Sequence, residues 1–216
     1  MTEPPSDRVR VRRLPERGAY DRRIVREILD AAAIAHVGVS APSGPVVLPM
    51  AFGRTEDTLY LHGSVANGLL RSGAGAEVCV TVTHVDGLVL ARSVFHHSMN
   101  YRSVVVRGAA RRVDDDAERD LALRCITDHV LPRWDDSREP NRIELRQTLV
   151  LAVPLTEASA KVRTGDPRDD AEDLSGPWWA GVVPVEVRFG QPVDAGDLRA
   201  GVAVPRAVRD LAGPRP

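Results

Sequence analysis

Apolar and polar residues alternate over many short stretches of this chain, and elsewhere the apolar ones recur at helical spacing. Val78, Val80 and Val82 alternate with Cys79, Thr81 and Thr83, which predicts a strand over residues 77–84 with one face buried. Residues 35–40, 46–53 and 58–62 predict further short strands, divided by Pro42-Ser43-Gly44 and by an acidic turn at Glu56-Asp57, as in an antiparallel meander. Asp86-Gly87 predicts a hairpin turn, with residues 88–94 returning as the partner strand. Residues 101–113 read as a long strand rich in β-branched side chains, and 149–155, 160–163 and 179–188 predict three more.

Helical spacing appears in four places. Asp21 is the expected N-cap of a helix running to about residue 34, with Ile24, Ile28, Leu29 and Ala32 on its inner side. A short helix is expected over 65–72 and another over 139–148. Residues 114–130 place three acids in a first turn, where the helix dipole favours them, and stop before Pro132. Short antiparallel strands with helices set between them, and no regular βαβ alternation, predict a mainly β, α+β protein: a small Greek-key-like β-barrel with peripheral helices. Residues 8–200 are expected to form one domain, with 1–7 and 201–216 as loosely ordered tails.

Composition narrows the function classes. The 216 residues hold 29 Lys plus Arg against 30 Asp plus Glu and are 43% hydrophobic, the profile of an ordinary globular protein. No apolar run approaches the roughly 20 residues of a membrane helix, and the basic N-terminus has no apolar stretch behind it, so a cytoplasmic protein without a membrane partner is expected. The early arginines are interspersed with Glu16, Asp21 and Glu27 and lack stacking aromatics, which favours a solvated helix face over a nucleic-acid site. Cys79 and Cys125 make no disulfide framework and no zinc pair. The glycines at 73 and 75 precede a strand and lack the third glycine of a dinucleotide fingerprint. No phosphate loop, metalloprotease or nucleophile-elbow motif occurs.

Three stretches are polar enough to carry chemistry. His62-Gly63-Ser64 ends a strand where a helix begins, which is either a phosphate seat or a plain capping turn. Residues 95–103 pack His96, His97, Ser98, Asn100, Tyr101, Arg102 and Ser103 between two strands; their amide and hydroxyl groups suit the edge of a heteroaromatic ring, and Arg102 suits an anion. Adjacent His96 and His97 point to opposite sides of a strand, and with no second clustered ligand beside them zinc is disfavoured. Lys161, the one lysine of the chain, shares a strand face with Arg163, and Trp179 offers either an aromatic wall or an anchor for the barrel.

In order, the segments Val46–Phe52, Leu59–Ser64, Val78–Val82, Gly87–Ser93, Phe95–Gly108, Ala158–Arg163 and Trp178–Pro184 resemble the pyridoxamine 5′-phosphate oxidase-like flavoproteins, and more narrowly their flavin-nucleotide-binding, nitroimidazole-resistance branch. His-His-Ser-Met-Asn-Tyr-Arg-Ser-Val-Val-Val is the most specific piece. The resemblance implies an FMN-binding split β-barrel, a homodimer with FMN in the groove between subunits, and oxidoreductase chemistry on a small-molecule substrate, with a nicotinamide or another reductant. It implies that Pro49, Met50 and Ala51 pass the flavin ring and that His62, Gly63 and Asn67 lie near the ribityl phosphate. Ser103 takes the place of a ring-binding glutamine, and Arg102, Lys161, Arg163 and Trp179 line the groove.

Departures from the family pattern qualify these expectations. The oxidases carry basic residues on the strand that here holds Val46 and Ala51, a Ser-Arg-Lys run where this chain reads Ala66-Asn67-Gly68, and an Arg-x-His where it reads Gly190-Gln191-Pro192. Pyridoxamine phosphate is therefore not the expected substrate, and FMN is left to Arg71, Arg102, Lys161 and Arg163. Haem, bound through one of His62, His84, His96 or His97, and a deazaflavin are the alternative occupants. A non-catalytic flavin carrier or regulator is the alternative role. No acid or base is singled out among His62, His96, His97 and Tyr101.

Overall fold

The computed structural model describes residues 3–211; the outermost parts of the two expected tails, residues 1–2 and 212–216, lie outside the described residues. The strands are β1 (Gly18–Ala19), β2 (Ala35–Ala41), β3 (Gly44–Met50), β4 (Phe52–Arg54), β5 (Thr58–Ser64), β6 (Glu77–Leu90), β7 (Ser98–Ala109), β8 (Arg111–Arg112), β9 (Thr148–Pro154), β10 (Ala158–Arg163) and β11 (Gly181–Pro184). The helices are α1 (Arg22–Asp30), α2 (Gly68–Gly73), α3 (Asp116–Val130), α4 (Arg142–Gln147) and α5 (Arg206–Leu211). Asp21 caps α1 by accepting from Arg23 N–H, and Asp115 caps α3 by accepting from Glu118 N–H.

Two antiparallel sheets result. One runs β1-β10-β7-β6-β2-β3, with β11 added to β6; the other runs β4-β5-β9-β8. They form the split-barrel arrangement, two sheets facing one another without closing into a single ring. The alternation read in β6 holds: Val78, Val80 and Val82 are buried, while Cys79 and Thr83 face out. The main core lies between the sheets under α1 and α2 and includes Leu29, Phe52, Leu59, Leu61, Leu70, Val80, Val104 and Leu151. A second, smaller core lies on the far side of the four-stranded sheet, where α3 packs Ala122 and Ile126 against Tyr60, Val150 and Ala152. Burial on both faces explains why 149–153 is a continuous apolar run.

The hairpin expected at Asp86-Gly87 is not formed. β6 runs straight through these residues, with a bulge between Val85 and Gly87. Strand pairing overrides the turn dipeptide there: β7 holds one edge of this end of β6, and β11 pairs the other from Leu90 to Gly87. The true turn is at 91–97 and contains a short 3₁₀ segment, Val94–His96. The expected strand over 179–188 shrinks to β11, and the expected helix over 65–72 starts at Gly68. At the N-terminal end, Asp7–Val9 forms a 3₁₀ turn with Val9 buried. None of the helices is long and apolar enough to cross a membrane, among the described residues.

Candidate functional site: a polar sheet face and a histidine-lined cleft

The outer face of the seven-stranded sheet gathers part of the expected site. Lys161 and Ser103 are direct cross-strand partners, and Ser103 in turn faces Thr83. The Ser103 hydroxyl donates to the Lys161 carbonyl at 3.3 Å, and Thr81 Oγ1 donates to the Val104 carbonyl at 2.9 Å. Pro49 pairs with His36, which pairs with Thr81, so Pro49 joins the same face one row along. This surface is flat, hydroxyl-rich and open to solvent at Thr83, His36 and Pro49. Lys161 Nζ donates to the Arg13 carbonyl at 3.0 Å, which leaves it two further protons to offer.

Other expected residues are engaged elsewhere, mostly because neighbours on a strand point to opposite faces. Arg102, next to Ser103, turns away and makes a bidentate pair with Asp86 at 3.0 and 2.8 Å; this hydrogen bonding holds its pKa above the usual arginine value. Arg163 is buried and donates to Asn100 and to the carbonyls of Gly165 and Asp166, with burial and the nearby Arg17 and Arg168 pulling its pKa down. Met50 packs on the main core and Ala51 on the second core. Asn67 Oδ1 caps α2, accepting from Leu69 and Leu70 N–H at 3.0 and 3.2 Å. Gly63 lies beneath that helix: a Cβ there would meet Leu70 Cδ1 at 2.8 Å. Trp179 is 65% exposed and stands two residues before β11, at the end of β6 that carries the 91–97 turn.

His62 parts company with Gly63. It pairs across the sheet with Val150 and shares the face of Tyr60, so it points to the α3 side. There it lines a cleft of about 370 Å³ together with Leu123 and Thr127 of α3, Trp134 and Arg138 of the connecting loop, and Leu145 of α4. Its Nδ1 is fully buried and has no hydrogen-bond partner. Burial lowers its pKa, which favours the neutral imidazole.

The cleft is braced on every side. Asp128 accepts from the N–H groups of Arg133 and Trp134 at 3.0 and 2.9 Å. Asn141 and Glu144 form a capping box that starts α4, and Arg138 pairs with both oxygens of Glu144 at 3.1 and 2.7 Å. Tyr60 donates to Glu118 at 3.1 Å, joining β5 to α3. The other histidines have different surroundings. His84 contacts the Ile28 carbonyl at 3.0 Å, His129 the Ala32 carbonyl at 2.7 Å and His96 the Asp170 carboxylate at 3.2 Å. His97 Nδ1 accepts from Ala91 N–H at 3.2 Å, and His36 is exposed.

Sequence reasoning named His62 but none of the residues around it. Trp134 was the available signal, a lone aromatic in a loop of acids and arginines.

A family profile described as pyridoxamine 5′-phosphate oxidase matches residues 21–162, most of both sheets with α1 to α4. The chain belongs to that family. It is similar to the structure of a flavocytochrome from Azotobacter vinelandii, at 37% identity over 97% of this chain and 99% of that one, with a TM-score of 0.92. It is similar also to a FAD and haem binding protein from Mycobacterium smegmatis, at 38% identity over 91% of this chain and 98% of that one, with a TM-score of 0.86. A candidate 5-nitroimidazole antibiotic resistance protein from Bacteroides thetaiotaomicron matches at 29% identity over 67% of this chain and 86% of that one, with a TM-score of 0.55. No curated protein matches the chain.

Proposed function

We propose that this protein is a redox protein holding both a flavin nucleotide and haem, and that it works as a homodimer. The observation that carries this reading is that the two likenesses at 37% and 38% identity, to a flavocytochrome and to a FAD and haem binding protein, run through nearly the whole of each chain. Likeness of that extent takes in the α3–α4 segment as well as the barrel. FAD is favoured over FMN and over a deazaflavin, both by the Mycobacterium relative and by the phosphate anchors missing at Ala66-Asn67-Gly68.

The residues present suit such groups. The hydroxyl-bearing face of Thr81, Thr83 and Ser103, with Lys161 at its side, can seat a planar, hydrogen-bonding ring and an anion. The imidazole of His62, which has no hydrogen-bond partner among the described residues and lines the cleft, suits a metal-bearing group. When bound, the two groups supply hydride and single-electron transfer. The chain's own part is to orient them and to exclude water. Thr83 is solvent-exposed in a single chain, so a second copy is needed to close that face, and exposed Val94, Phe95, Trp178 and Trp179 offer apolar surface for it.

The direct test is incubation of the full chain with FAD, FMN and hemin, followed by desalting, absorption spectroscopy and chromatography of the released flavin. Flavin bands from FAD beside a haem Soret band are expected, and both should respond to a reduced nicotinamide or dithionite. Protein that retains neither a flavin nor haem would overturn the reading.

A further inference from the structure

We infer that His62 is the axial haem ligand of this chain, and that the cleft between β5, α3 and the 131–148 segment is where the porphyrin enters. This assignment rests on the flavin-and-haem reading above and adds to it the residue and the place.

Three observations carry it. The first is an imidazole without partners. His62 Nδ1 is buried without a hydrogen-bond partner, and neither ring nitrogen of His62 is held by any group among the described residues. An imidazole left so costs stability unless something binds it. His84, His96, His97 and His129 each have a ring nitrogen in a polar contact, and His36 is exposed on the opposite sheet. The second is shape and lining. The cleft measures about 370 Å³; Leu123, Trp134 and Leu145 give it an apolar wall for a flat macrocycle, and the rest of its lining is mostly polar and includes the Arg138–Glu144 ion pair.

The third is the ligand count. No group of three or more His, Cys, Asp or Glu that could hold a metal ion occurs among the described residues, so His62 belongs to no site of that size. Structural and catalytic ions ask for three or four. An iron porphyrin brings its four equatorial nitrogens with it and asks the protein for one imidazole or two. A half-buried imidazole without a hydrogen-bond partner, beside an apolar wall, therefore fits haem and not a zinc site of three or four protein ligands.

The experiment is hemin titration of the full-length wild type, His62→Ala and His96→Ala, each also loaded with FAD, with haem content measured as the pyridine complex. Wild type and His96→Ala are expected to show one nitrogen-ligated Soret species per chain. His62→Ala is expected to lose at least tenfold in hemin affinity while keeping its flavin and its circular dichroism, and free imidazole should restore its Soret band. As a second variant, His62→Cys should retain hemin but shift the Soret band to that of a thiolate ligand. If His62→Ala and His62→Cys both bind hemin with the wild-type spectrum and affinity, this assignment falls while the flavin-and-haem reading stands. If the wild type itself takes up no hemin, both fall.

Discussion

Asp128 fixes the position of Trp134, accepting hydrogen bonds from the N–H groups of Arg133 and Trp134 at 3.0 and 2.9 Å just where the chain leaves α3. The indole that lines the His62 cleft is thus set by a carboxylate on the last turns of the helix forming another of its walls.

Replacing that carboxylate should loosen the cleft before it unfolds the protein. Asp128→Ala leaves two backbone donors without their acceptor, which costs about 1–3 kcal/mol where water cannot replace it. The expected outcome is an unfolding free energy lower by roughly that amount, seen as a lower urea midpoint, and a several-fold weaker hemin affinity, with FAD affinity unchanged. Urea melts and separate titrations of the two cofactors check this.

A second tie reaches the same cleft from the strand side. Tyr60 donates to Glu118, and Glu118 also receives the Arg111 guanidinium; that hydrogen bond, more than the opposing effect of burial, holds the Glu118 carboxyl below the usual glutamate range. A depressed carboxylate pKa stabilises the fold above the unfolded value of about 4.3. That stabilisation is lost as pH falls through the lowered folded value. Tyr60→Phe should cost about 1–2 kcal/mol near neutrality. Glu118→Gln should flatten the acid limb of a stability-against-pH curve measured by chemical denaturation.

Helix α3 can lie on β4 because Gly53 has no side chain. A Cβ there would sit 2.4 Å from the backbone carbonyl of Cys125. Backbone cannot yield as a side chain tip can, so Gly53→Ala should destabilise by about 1–3 kcal/mol or more. Differential scanning calorimetry should show a lowered melting temperature, and hemin binding should weaken with it as the helix is pushed off the sheet.

Much of this architecture could be read from the chain, and the failures have physical causes. Val78, Val80 and Val82 announced a half-buried strand, and Asp21 and Asp115 are helix caps within sequences that predict helices. Asp86-Gly87 misled because a turn signal is local while the pairing of β6 with both β7 and β11 is not. The partners of the cations were hidden for a similar reason. Arg102 and Arg163 have partners, Asp86 and Asn100, that lie 16 and 63 residues away, so no spacing rule finds them. Ser103 and Lys161 do meet, as the family resemblance implied when it put both in one groove. The His62 cleft was least legible, since it exists only once α3 crosses the outer face of the four-stranded sheet and the loop behind it returns.

The proposed homodimer has its own test. Val94 and Phe95 are 84% and 87% exposed at the tip of the β6–β7 hairpin, an unusual place for two large apolar side chains to meet water. Light scattering of the wild type should give twice the 23.5 kDa chain mass. Phe95→Glu should shift that equilibrium towards the monomer and weaken flavin retention in parallel, whereas a wild type that is monomeric at all concentrations would remove the dimer from the account.

The most direct measurement of the central claim is the absorption spectrum of the full chain after saturation with FAD and hemin and removal of the unbound excess. The account predicts flavin bands and a nitrogen-ligated Soret band together, at near-equal amounts per chain and both altered by reduction. A spectrum of bare protein, or of hemin lost on desalting with no flavin retained, would contradict it.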